Sequence, residues 1–134
     1  MKKYEFTGET KEVYGITLHR IRAIKSFSDV NIGDIGGLIE KEKNLSHEGN
    51  AWVYGDAKVY GNAKVCGNAD YIVFKNWWSS GRYFTWTRSN NKWAVGCFYG
   101  TGEKLIAKAY KDSEKSGKEY ERIVRYVESI LAES

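Results

Sequence analysis

Between residues 73 and 100 four cations, Lys75, Arg82, Arg88 and Lys92, stand among nine aromatic side chains with no Asp or Glu. Rings stack on bases, guanidinium groups lie flat on rings and cations neutralise phosphates, so this composition can hold a nucleotide-type anion. Trp, Tyr and Arg also anchor protein–protein contacts. The candidate ligand- or partner-binding residues are therefore Trp77, Trp78, Arg82, Tyr83, Trp86, Arg88, Lys92 and Trp93. If 82–88 is a strand, its period of two puts Arg82, Phe84, Trp86 and Arg88 on one face and Tyr83, Thr85 and Thr87 on the other. The competing reading is structural, with Phe84 and Trp86 packing against Leu105, Val124 and Val127 beneath helices.

Other reactive chemistry is sparse. His19, His47, Cys66 and Cys97 never approach metal-ligand spacing. There is no Walker-type phosphate loop, nucleophile elbow or paired-carboxylate arrangement. Gly33-Asp34-Ile35-Gly36-Gly37 lacks the strand-to-helix context of a phosphate loop and reads as the entry to the repeats that follow. Cys66 takes the place of Tyr54 and Tyr60 in neighbouring repeats and reads as a side chain of a stack, and Cys97 reads as core. No metal and no cofactor are expected.

The formal net charge of +4 is unevenly placed. Residues 1–48 carry eight basic and eight acidic side chains, 49–72 two of each and 101–134 seven of each, so the whole surplus lies in 73–100. That surplus suits a small anionic ligand or an acidic protein surface and falls short of a general nucleic-acid binder. With 42% hydrophobic, 15% aromatic and 28% charged residues, the 134-residue chain reads as globular, with one core or two small units sharing an interface. No apolar run approaches the roughly 20 residues of a membrane span, and MKKYEFTGET lacks a secretion signal's apolar stretch. Reduced cysteines in a cytoplasm are the expectation that follows.

The elements that would position these residues centre on a repeat. From Gly49 the chain reads GNAWVY, GDAKVY, GNAKVC, GNADYI, and residues 37–48 fit the same period as two degenerate hexads. A fixed short period implies a unit stacked on copies of itself, with Gly-Asn or Gly-Asp at the corner and Val on the inner wall. The fold expected is mainly β with an α+β C-terminal unit. It comprises an N-terminal β cap over residues 1–36, with a turn at Tyr14-Gly15 and a bulge near His19-Arg20, and a short hexapeptide-repeat β-solenoid of about two coils over residues 37–72. Residues 73–134 are expected to form an aromatic-rich β-meander, a three-stranded sheet plus two helices. Its strands are read at 71–78, 82–88 and 93–99. The first helix is capped by Thr101 and the second by a capping box at Ser116–Glu119.

The run TLHRIRAI, the run GDIGGLIEKEKNLSHEGNAWVYGDAKVYGNAKV and Gly96-Cys97-Phe98-Tyr99-Gly100-Thr101 resemble a family of hexapeptide-repeat proteins from bacteriophages and prophages, some labelled polymer-forming or putative transferase. The resemblance is firm over residues 14–69 and looser beyond, and this chain departs from the family in its few hexads and tryptophan-rich tail. It implies a phage origin, a bacterial host cytoplasm and a solenoid between two end units. Hexapeptide acyltransferases use a histidine base and a long thioester cofactor laid along several coils. With His19 on a strand, His47 in a degenerate hexad and too short a trough, the chain is expected not to be an enzyme. The function expected is a non-catalytic, phage-encoded binding protein in counter-defence, inhibiting a host nuclease or effector or sequestering a nucleotide-type signal through its basic-aromatic surface. The partner is then a host defence protein or a small anionic nucleotide ligand, with homo-oligomerisation expected. A self-assembling scaffold is the alternative, and a degenerate acyltransferase-like enzyme the third.

Overall fold

A long hairpin pairs β1 (Tyr4–Val13), buried only at its two ends, antiparallel with β2 (Ile16–Ala23), whose Leu18, Ile21 and Ala23 are buried. Residues 2–133, except Tyr14, Asn68, Ala69 and Cys97, are described by the computed structural model, so the Tyr14 half of the expected turn and the expected core position of Cys97 lie outside the described residues. The slip expected near His19-Arg20 is present as a register shift between Arg20 and Arg22, with another between Phe6 and Thr10. β3 (Ile35–Ile39) pairs antiparallel with β2, and β4 (Lys58–Val59) pairs parallel with β3. The first sheet thus has the order β1-β2-β3-β4.

The expected solenoid is overturned. The fold is α+β, with two four-stranded, mostly antiparallel sheets and two helices. Among the described residues the first three regular hexads supply one two-residue strand, Lys58–Val59, and one isolated parallel bridge, Leu45 to Val65, while the fourth runs into an antiparallel strand at Tyr71. The period survives as packing rather than as stacked strands. Gly49, Gly55 and Gly61 turn with φ of +65°, +54° and +67°, and the alanines at 51, 57 and 63 and valines at 53, 59 and 65 are all buried. The inward pairs face a core shared with Tyr4, Ile21 and Ala23 of the hairpin, so the period records burial rather than a stack of paired strands.

The second sheet is a four-stranded meander, one strand more than expected: β5 (Tyr71–Lys75), β6 (Tyr83–Thr87), β7 (Lys92–Val95) and β8 (Phe98–Gly100). Gly96, at φ +55°, splits the third expected strand in two, and Trp77 and Trp78 fall in a turn instead of in β5. α1 (Gly102–Asp112) is capped as expected by Thr101, whose side chain accepts the Lys104 N–H. α2 (Glu114–Ala132) starts earlier than expected, because Ser113 accepts the Ser116 N–H and so takes the cap. Ser116 is left to accept the Trp78 indole N–H at 3.1 Å.

Both faces of the meander are covered. Phe84, Trp86 and Trp93 pack with Leu105, Ile106, Tyr120, Val124 and Val127 of the helices. On the opposite face Ala94 and Tyr99 pack with Val13, Leu18, Leu38 and Tyr60 of the first sheet and the hexads. The layers are sheet, sheet and helix pair, with the meander in the middle. Close approach between β3 and the hexads depends on Gly37, where a Cβ would come within 2.5 Å of Val53 Cγ1 and 2.7 Å of the Ala57 carbonyl oxygen. Gly37→Ala is expected to cost about 1–3 kcal/mol of stability, read from the urea midpoint, because the backbone there cannot yield as a side chain would.

Candidate anion-binding site

At one edge of the seam between the sheets lies a cleft of about 410 Å³, whose charged walls are Glu9, Lys11, Arg20, Asp56, Lys58 and Arg82. Tyr83, 47% exposed, completes one side. Arg20 occupies the cleft's carboxylates: its guanidinium lies 3.2 Å from Glu9 and 3.3 Å from Asp56, and also donates to the carbonyl oxygens of Gly36 at 3.0 Å and Gly55 at 2.9 Å. Among the described residues no carboxylate forms an ion pair with Lys11, Lys58 or Arg82.

Each cation is placed by its element. Lys58 sits on β4, and its backbone N–H donates to Thr85 Oγ1 at 3.2 Å, which fixes it against β6. Arg82 closes the turn before β6: its N–H donates to Ser80 Oγ at 3.2 Å and its carbonyl accepts the Asn76 N–H at 2.8 Å. Its guanidinium fills the space that a Cβ on Gly96 would take. Burial, then the neighbouring charges of Lys11 and Arg82, pull the Lys58 pKa below its ordinary 10.5, against a weaker opposing pull from Asp56. Four cations against two carboxylates leave a net charge of about +2 around a concave, half-open space, which makes a site for an anion.

Of the residues expected to bind a ligand, Arg82 and Tyr83 line this cleft. Trp86 and Trp93 are 0% and 1% exposed and belong to the core, so no ligand reaches them on this surface. Trp78 is half-buried, edge-on to Tyr120 at 4.9 Å. Trp77 is 66% exposed, with Lys115 Nζ 5.0 Å from its ring. Arg88 and Lys92 are half-buried at the opposite end of β6 and the start of β7, and Arg88 donates its N–H to the Asp70 carbonyl. The eight residues do not converge. Cys66, expected inside a stack, is instead exposed, its N–H capped by Asp70 at 2.7 Å.

Lys11, Arg20 and Lys58 escaped the sequence reading. Charge sums over segments show Lys11 and Arg20 as balanced by nearby acids, whereas in the fold Arg20 takes both carboxylates of the cleft. For Lys58 a signal existed: a lysine between the buried Ala57 and Val59. Neither histidine lines this cleft. His19 stacks on Phe6 at 4.4 Å, while His47 stacks on Tyr4 at 4.0 Å, accepts the Lys3 N–H and lies 2.8 Å from Glu42. Among the described residues no group of three or more His, Cys, Asp or Glu could hold a metal ion, and no helix is long and apolar enough to cross a membrane.

No protein-family model matches the chain. Part of it is similar to a named protein. Over 51 residues it is 43% identical to the uncharacterized acetyltransferase YdcK of Escherichia coli (strain K12), a stretch covering 38% of this chain and 15% of that relative. This name corrects the expectation that the chain is not an enzyme. That expectation rested on the placement of the two histidines and on a trough too short for the cofactor, but a carboxylate or lysine can also move a proton, and the trough belonged to the overturned solenoid.

The burial pattern separates structural from accessible rings. Trp86→Ala and Trp93→Ala are each expected to destabilise the protein by about 3–5 kcal/mol. Trp77→Ala should stay within about 0.5 kcal/mol of wild type in the same urea denaturation series.

Proposed function

We propose that the protein binds a small phosphate-bearing anion of nucleotide type in the cleft between the two sheets. The observation that carries this reading is the convergence of Lys11, Lys58 and Arg82 while Arg20 engages both local carboxylates. A phosphate there gains charge-assisted hydrogen bonds and relieves the mutual repulsion of three cations. In the phage setting that the sequence resemblance implies, such binding withdraws a nucleotide signal from a host defence pathway.

Acyl transfer is a second reading, favoured by the acetyltransferase name of the YdcK relative. The chain spans 15% of that relative's length, so the activity is a proposal here. Coenzyme A thioesters carry phosphates, and the same cations would hold them. Thiol release from acetyl-coenzyme A that depends on an added amine or hydroxyl acceptor, which takes the acetyl group, and that is lost in Lys58→Met, would support transfer over binding alone.

Calorimetric titration with inorganic phosphate and ADP tests the cleft. Lys58→Met and Arg82→Ala should each weaken binding by about 10–100-fold, the equivalent of one charge-assisted hydrogen bond, while Trp77→Ala binds as wild type does. Equal affinity in all four proteins would sink the proposal. Because the free Lys58 pKa is lowered, affinity is full below that lowered value and declines as pH rises through it toward 10.5. The sign for stability is opposite. Charged Lys58 opposes folding below its lowered pKa, and the cost fades as pH climbs to 10.5, so Lys58→Met should be no less stable than wild type at neutral pH.

A further inference from the structure

Beside the cleft, a second cavity of about 390 Å³ lies between the turn over residues 76–82 and the helix pair, and Arg82 lines both. Its apolar walls include Phe98, Leu105 and Ala109. Asn76, 7% exposed, stands at its edge with its main chain consumed by the turn: its N–H donates to the Arg82 carbonyl and its carbonyl accepts the Gly81 N–H. The side-chain Nδ2 donates to the Tyr120 hydroxyl at 3.2 Å, while Oδ1 is buried without a partner. A buried acceptor without a partner beside an open cavity points to a ligand that supplies the missing donor. The Tyr120 oxygen already accepts from Asn76, which leaves its own proton free to donate. An acceptor and a donor therefore lie side by side, the complement of a nucleobase edge with adjacent donor and acceptor atoms. An apolar pocket with a few convergent polar groups is the usual form of such a site.

We infer that this cavity holds the base of a nucleoside monophosphate, read by Asn76 Oδ1 and the Tyr120 hydroxyl, with the phosphate directed to Arg82 in the cleft. This rests on the phosphate-binding reading of the cleft and adds base recognition to it.

Titration of the full chain with the four common nucleoside monophosphates, their nucleosides and inorganic phosphate tests it. At least one monophosphate should bind about tenfold or more tighter than phosphate, as a base held by two hydrogen bonds requires. Asn76→Leu should erase that margin and leave phosphate affinity unchanged, whatever the loss of the bond to the Tyr120 hydroxyl does to the thermal midpoint. A residue with a purely structural role would leave the margin in place. Tyr120→Phe, which deletes the hydroxyl alone, should reduce the margin in the same direction and keeps the test informative if Asn76→Leu fails to fold. The inference is overturned if no monophosphate exceeds phosphate, or if both variants keep the wild-type preference. If nucleosides bind and lose affinity in Asn76→Leu while phosphate does not bind at all, the cavity stands and the phosphate cleft falls.

Discussion

The Tyr71 hydroxyl donates to the Trp52 carbonyl oxygen at 2.6 Å and accepts the Tyr54 N–H at 3.1 Å, inside the first core although Tyr71 opens the second sheet. Burial pushes its pKa up to about 12, so it remains a neutral donor and acceptor at any physiological pH. The same pattern recurs along the seam. The Lys58 N–H donates to Thr85 Oγ1 and the Lys64 N–H to Ser89 Oγ. These two lysines hold equivalent hexad positions, six residues apart. Hexads that spend their bonding groups on turns leave these N–H groups to be satisfied elsewhere, and hydroxyls of the meander satisfy them. The first sheet, the hexads and the meander are thus one hydrogen-bonded assembly, and the cleft exists where that seam ends.

Electrostatics at this edge follow from the order in which partners are taken. Arg20 is 15% exposed and reaches two backbone carbonyls as well as Glu9 and Asp56, so it is the best-placed cation for both acids. Lys58 is left half-buried beside two like charges, a position tolerable for folding because water still enters the cleft. Elsewhere a buried cation is fully satisfied. The Lys3 ammonium bonds the carbonyl oxygens of Glu48, Gly49 and Ala51 and lies 4.6 Å from the Phe27 ring centre. The contrast marks Lys3 as part of the architecture and Lys58 as part of the proposed site.

Local chemistry was legible in the sequence, and tertiary pairing was not. The glycine turns, the inward alanines and valines, the Thr101 cap and the buried stripe of Tyr120, Val124 and Val127 all follow from residue type and spacing. The step from a six-residue period to a stack of coils failed because periodicity records which residues face inward and does not say what they face. Here the period lines a core shared with an antiparallel hairpin. For the same reason eight residues of the aromatic run looked like one binding surface, although the competing reading of Phe84 and Trp86 as core beneath the helices is what the fold bears out. A strand buried on one face would have shown half its residues, but β6 is covered on both, and Phe84, Thr85, Trp86 and Thr87 all disappear. Arg82 and Tyr83 stay accessible because they precede that covered stretch.

A strand enclosed on both faces leaves little room for substitution, since each of those four positions fits against a fixed neighbour. Its entrance is under no such constraint. Arg82 rests over the bare backbone of Gly96, and Tyr83 points into the open. Side chains at the mouth of β6 can therefore be exchanged while the interior stays unchanged, a separation of what may vary from what must persist within six consecutive residues.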